Sequence, residues 1–294
     1  MKIAIIGGNG FTGRRILQHL INKHDVAVAS LHADINPQEG YRFDTIDIAD
    51  QIATTAWLDS ICPEVVVNAS ALSVVDHCEQ HQHEAYTINV EAVKHLAEYC
   101  QKKNCRLIHL STDFVFDGKT TIPYTENDTP QPVNYYGKTK WWGEQAIAAT
   151  CDNYAIARVE VVYGAPLKGQ HGNIVHLVKT RLESGQSIRV VSDQFRSPTW
   201  VEDIAQAIEL LLNSEHQGIY HICGNETMSV ADIAMRVAQH FALDTTLIHP
   251  VTTEEMCEAT ARPLYSPMST EKAQRELGYQ PSPFEKGLDA EYRL

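Results

Sequence analysis

Tyr136 and Lys140 stand four residues apart in the stretch NYYGKTKWWGE, residues 134–144. On a helix that spacing places a phenol and an ammonium on one face, about one turn apart. A free tyrosine titrates near ~10, so it needs help to exchange a proton near neutrality; a close ammonium favours the phenolate and lowers that value. The pair can therefore act as a proton-transfer device. A packing account fits the same residues, with Asn134 as a helix N-cap after Pro132 and Trp141 or Trp142 supplying core area. Upstream, RLIHLSTDFVFDG reads as a buried strand ending at Ser111 and Thr112. Ligands of an open α/β sheet bind outside the carboxyl ends of its strands, which places Thr112 beside the same chemistry.

The elements that must position these residues are legible as a rhythm. KIAIIG, DVAVAS, EVVVNAS, RLIHLST and YAIARVEVVYG are short β-branched runs separated by helical stretches. Strands apolar on both sides suit a parallel sheet with helices on both faces. The expected fold is α/β, a doubly wound Rossmann sheet over residues 1–164. A smaller α/β substrate lobe is expected over 165–294, with residues 193–222 returning to the first domain. Directly after the first strand, GGNGFTG gives Gly7-x-x-Gly10-x-x-Gly13 at the opening of the first helix. Glycines there allow a tight turn and close backbone approach to a pyrophosphate, and the helix N-terminus offers free N–H groups.

The spacing is not the G-x-G-x-x-G of many dehydrogenases, and the second strand ends in Ser30-Leu31-His32 rather than in an acid for a ribose hydroxyl. Asp34 lies at about the right distance, in a loop before Pro37. Arg14 and Arg15 follow the glycines, either as partners of a 2′-phosphate or as solvated first-turn residues. NADP(H) is favoured on this basis, with NAD(H) as the alternative.

Composition narrows the partners. With 24 Lys+Arg against 37 Asp+Glu the net charge is −13, which gives no electrostatic footprint for nucleic acid or an anionic membrane. No run approaches the roughly 20 apolar residues of a membrane span, so a cytoplasmic protein with a small-molecule partner is expected, and a homodimer is compatible with this reading. The seven cysteines include no C-x-x-C pair and read as reduced thiols. Cys78, His81 and His83 match no standard metal spacing, so no metal is assigned.

GGNGFTG, STDFVFDG, PYTENDTPQPVNYYGKTKWWGE, SDQFRSPTWVEDIA and ARPLYSPMSTEKAQRELGY together resemble the extended short-chain dehydrogenase/reductases, and within them the dTDP-4-dehydrorhamnose reductase family. The resemblance spans nearly the whole chain. It implies hydride transfer from a nicotinamide to C4 of a nucleotide-linked deoxy-sugar, with Tyr136 giving a proton to the alkoxide, Thr112 orienting the carbonyl and Lys140 also holding the nicotinamide ribose. It places Gly7, Gly10, Phe11, Thr12, Gly13 and Arg14 at the cofactor. Asp47 and Ile48 would lie against its adenine, and Asn68, Ala69, Ser70 and Ala71 would line it after the fourth strand. Ser73, Val74, Asp113, Phe114 and Arg196 are implied on the substrate side. Asn89 would hold a relay water near Lys140 or position its helix.

Phe114 stands where sugar-nucleotide dehydratases need a glutamate for the proton at C5, which disfavours water loss. The chain departs from the reductase pattern at VEVVYG. Val161 replaces an aromatic expected near the sugar, Glu160 adds a charge, and Arg196 replaces a small residue, either to meet a diphosphate or as surface. Two alternatives stay open: a regulatory subunit like the methionine adenosyltransferase beta subunit, and a sugar-nucleotide epimerase.

Overall fold

The computed structural model describes residues 1–292. Its centre is a seven-stranded, wholly parallel sheet in the order Gly218–Ile222, β6 (Tyr154–Val159), β5 (Arg106–Thr112), β4 (Val65–Asn68), β1 (Lys2–Ile6), β2 (Asp25–Ser30), β3 (Tyr41–Thr45). The chain runs outward from β1 to β3 and then crosses back to β4. The strand order therefore reverses between β1 and β4, where Ile6 pairs with Asn68. All four residues of β4 and all seven of β5 are buried, as in strands covered on both faces, and the polar side chains among them, Asn68, Arg106, His109, Ser111 and Thr112, are buried with the rest.

One face packs on α1 (Phe11–Leu20) and the helix Val201–Leu212, through Ile16, Leu17, Ile204 and Ile208. The other packs on helices Gln51–Ile61, Ala92–Lys103 and Tyr135–Thr150, through Leu58, Leu96 and Ile147. Helix Gln51–Ile61 was not read from the sequence. Its residues QIATTAWLDSI do not gather their apolar side chains on one face, Ile52 being exposed while Trp57 and Leu58 are buried, and Asp50 starts it by accepting from the Ala53 amide at 2.9 Å.

A second apolar cluster, with Val175, Val178, Val190, Ile233, Val237 and Phe284, builds a smaller lobe around helices Ile174–Glu183 and Val230–His240. Strand Ile188–Val191 pairs there with Ile248–Val251. After this lobe begins, helix Val201–Leu212 packs on α1 and strand Gly218–Ile222 adds to the edge of the large sheet. Among the described residues no helix is long and apolar enough to cross a membrane.

YAIARVEVVYG, expected as one strand, is two. β6 stops at Val159, and Val162–Tyr163 pairs instead with Thr199–Trp200. Between them Val161 has φ +35°, a left-handed conformation that a β-branched residue rarely adopts. The backbone turn there hands the chain from the large sheet to the small lobe.

Candidate active site

The glycine loop forms a cradle at the reversal of strand order. Gly7 has φ +88°, and a Cβ on it would lie 2.7 Å from the Ser70 amide nitrogen, so only glycine lets the β1 and β4 loops approach this closely. A cavity of about 280 Å³ opens beside it, and Gly7, Gly10, Asp47, Ile48, Ala69, Ser70 and Ala71 line its wall. Seven expected cofactor residues thus share one cavity. Ser30, Leu31, Leu72, Glu84 and Ile88 line it too; sequence reasoning did not single out these last three, which carry no motif.

Phe11 packs instead against the small lobe, and Gly13 is buried behind the loop. Thr12 is partly buried at the start of α1.

Arg14 corrects an expectation. Its guanidinium is buried and paired with Asp34, and it also donates to Asn9 Oδ1 at 3.0 Å and Tyr41 Oη at 3.1 Å. Tyr41, Asn36 and Arg14 together hold the Asp34 carboxyl below the usual range despite its burial. Arg15 donates to Glu291 at 2.7 Å. Both arginines are engaged inside the protein, because acids lie within reach that were distant in sequence.

Thr112, Tyr136 and Lys140 meet at the carboxyl end of β5. Helix Tyr135–Thr150 is capped as expected, the Gly137 amide donating to Asn134 Oδ1 at 2.9 Å. Gly137 lets this helix lie against the loop after β5, since a Cβ there would sit 2.1 Å from the Phe114 carbonyl oxygen. Tyr136 meets the Phe114 ring edge-on at 5.8 Å between centroids. Burial pushes its phenol above the ordinary value and the Asp113 charge adds to that, while its hydroxyl is hydrogen-bonded with Thr112. Lys140 does not produce the lowering expected of it. Its Nζ is buried, donates to the Leu110 carbonyl at 2.7 Å and lies 3.1 Å from His109 Nε2, and burial brings its pKa down to about 8.

His109 is a site residue that sequence reasoning missed. It is fully buried, and burial followed by the Lys140 charge holds it well below its ordinary value, hence neutral. Its Nδ1 lies 3.1 Å from Asn68 Nδ2, and Asn68 Oδ1 accepts from the Ser70 amide and hydroxyl at 3.1 and 2.7 Å. A continuous chain of contacts therefore joins the loop after β4 to Lys140. The signal was a histidine in an otherwise apolar strand register. Asn89 lies in a π-helical turn and bonds the Leu72 amide and carbonyl, both at 2.9 Å, and Thr139 Oγ1 at 3.0 Å, which favours its positioning role.

On the substrate side, Ser73 and Val74 are exposed in the loop leading to helix Val75–Gln80. Asp113 is buried, accepting from Thr112 Oγ1 at 3.0 Å. Arg196 is buried, which overturns its reading as surface. It donates to the carbonyls of Phe195 and Pro263, both at 2.7 Å, and its guanidinium lies over the Phe114 ring at 5.8 Å. Of the cysteine and histidine group, Cys78 donates to the Leu72 carbonyl at 3.3 Å and His81 stacks on His77 at 4.0 Å.

A glycine cradle at the strand reversal and a Thr-Tyr-Lys set at the next strand end define the extended short-chain dehydrogenase/reductase class. The family described as RmlD substrate binding domain matches residues 1–293, and the chain belongs to it. Among its relatives, the spore coat polysaccharide biosynthesis protein SpsK of Bacillus subtilis is 36% identical, covering 83% of each chain. A dTDP-4-dehydrorhamnose reductase of Aggregatibacter actinomycetemcomitans is 31% identical over 98% of this chain and 97% of its own. The methionine adenosyltransferase 2 subunit beta of Xenopus laevis is also 31% identical, over 98% of this chain and 86% of its own. The structure of dTDP-4-dehydrorhamnose reductase from Bacillus anthracis in complex with NADP superposes with a TM-score of 0.85 at 27% identity, covering 99% of this chain and 98% of that one.

Proposed function

We propose that this NAD(P)-dependent oxidoreductase uses NADP(H) to reduce the 4-keto group of a nucleotide-linked deoxy-sugar of the dTDP-4-dehydrorhamnose type. The observation that carries this reading is the meeting of Tyr136 and Thr112 with the buried Lys140 at the end of β5. The cradle suits a dinucleotide: Gly7 lets the β1 and β4 loops close up beside the cavity, and Asp47 and Ile48 line that same cavity. The NADP complex of the Bacillus anthracis protein supports the cofactor assignment. When bound, that cofactor supplies the hydride.

The chain's own residues handle the oxygen. Tyr136 gives its proton to the developing alkoxide, and its raised pKa keeps that proton in place at neutral pH. Thr112 aligns the phenol. Lys140, held by the Leu110 carbonyl, places positive charge beside the site. Purified protein given dTDP-4-dehydrorhamnose should oxidise NADPH, and Tyr136→Phe should lower kcat by about 10²-fold or more, the range of a general acid. Turnover unchanged in that variant would remove Tyr136 as the donor.

The similarity to the methionine adenosyltransferase beta subunit supports a second reading, a regulatory subunit that binds a dinucleotide without turnover. Inactivity on keto-sugars together with co-purification of a synthetase would favour it.

A further inference from the structure

Two departures from the reductase pattern, Glu160 and Arg196, fall on one buried cluster with Asp113 and Ser266. All four are at most 3% exposed. Ser266 Oγ lies 2.5 Å from Asp113 Oδ2 and 3.2 Å from Glu160 Oε1. A serine hydroxyl has one hydrogen, so it donates to one carboxyl; the other contact needs a hydrogen on the carboxyl itself. Charge leads to the same result. The cluster holds two carboxyls and one guanidinium, and like charges in a dry site do not both ionise.

We propose that Asp113 and Glu160 share a single proton, held on Glu160 and relayed in hydrogen-bond direction through Ser266, and that Glu160 and Ser266 are thereby positioning residues for Thr112. Asp113 is the better site for the negative charge. It accepts from Ser266 and from Thr112 Oγ1, and Arg196 Nε lies 4.0 Å from its Oδ2. Among the described residues Glu160 Oε2 has no hydrogen-bond partner, which a neutral acid bears at far lower cost than a carboxylate. The groups facing Glu160 are Asp113, Arg196, the Ser197 amide, Ser266 and the Cys223 thiol; burial and then Asp113 push its carboxyl well above the ordinary value.

The direction that follows is Glu160 to Ser266 to Asp113, with Thr112 donating to Asp113 from the other side. The lone pairs of Thr112 Oγ1 are then left for the Phe114 amide, at 3.2 Å, and for the Tyr136 hydroxyl. Thr112 becomes the acceptor that aims the phenol. This consequence rests on the reductase reading; the shared proton does not.

The test is infrared difference spectroscopy of the whole protein at pH 7, wild type against Glu160→Gln, in water and in deuterium oxide. A protonated-carboxyl carbonyl band that shifts on deuteration should be present in the wild type and lost in the variant. Absence of that band from the wild type, or its persistence in Glu160→Gln, overturns the proposal. Steady-state kinetics then read the positioning role. Glu160→Gln keeps an N–H to donate to Ser266 and should hold kcat within about threefold. Glu160→Leu, which cannot donate, should lose about tenfold or more in kcat with KM little changed. Equal losses in the two variants would overturn the positioning role. Because the band is read without substrate, inactivity on keto-sugars bears on the functional reading alone.

Discussion

At Lys140 an ammonium is buried against the Leu110 carbonyl and a neutral imidazole, and its pKa falls from 10.5 to about 8. The folded protein therefore holds this proton more weakly than the unfolded chain does. Below pH 8 the buried charge costs about 3 kcal/mol of stability, and between pH 8 and ~10.4 that cost disappears as the native state releases the proton first. Lys140→Met should therefore be at least as stable as wild type at pH 7 by urea unfolding, with the difference narrowing above pH 8; a difference that widens there would contradict the assignment. The rate has the opposite sign. Under the role proposed for the ammonium, kcat should fall as pH rises through about 8, while Tyr136, pushed upward by burial, keeps its proton over that range.

At the scale of elements, two backbone positions carry the site. Gly137 lets the helix bearing Tyr136 and Lys140 touch the loop after β5, and Gly137→Ala should cost about 1–3 kcal/mol, as overpacking does, with a larger fractional loss of kcat. Val161 is the converse case. Its left-handed backbone costs about 1–2 kcal/mol in a β-branched residue, so Val161→Gly should be as stable as wild type within about 1 kcal/mol despite losing a partly buried side chain. Calorimetry of the two variants checks both.

The same positions show what the sequence made legible. The strands of the large sheet announced themselves by β-branched runs, and the glycine loop by its place after the first of them. The break at Val161 left no mark, because valine is a strand former and only the competing pairing with Thr199–Trp200 turns the chain. Arg196 and Arg14 read as surface or phosphate-binding groups for a related reason. Their partners, Asp113 and Asp34, are brought near by loops that local pattern does not encode. His109 was not singled out within β5, and only the arrival of Lys140 from another element brings it to the site.

Across the whole molecule, Glu291 on the last helix clasps the two lobes. Its carboxylate accepts from Arg15 on α1 at 2.7 Å, from the Trp200 indole at 2.8 Å and from the Ala165 amide at 2.9 Å. Arg15 lies two residues after Gly13, so the clasp connects the small lobe to the helix that opens from the glycine cradle. Glu291→Gln should lower stability by about 1–3 kcal/mol, the range for a lost charge-assisted hydrogen bond, and weaken NADPH binding by titration calorimetry. Unchanged affinity would separate lobe docking from the cradle.

The proposal as a whole, net reduction of a sugar ketone with Tyr136 as proton donor, meets its most direct test in isotope transfer. NADPH carrying deuterium at the reactive nicotinamide carbon, turned over with dTDP-4-dehydrorhamnose, should leave one deuterium at C4 of the product sugar, and Tyr136→Phe should abolish nearly all of that transfer. Product free of deuterium, as cofactor recycling in an epimerase would give, or no oxidation of NADPH above background, would contradict it.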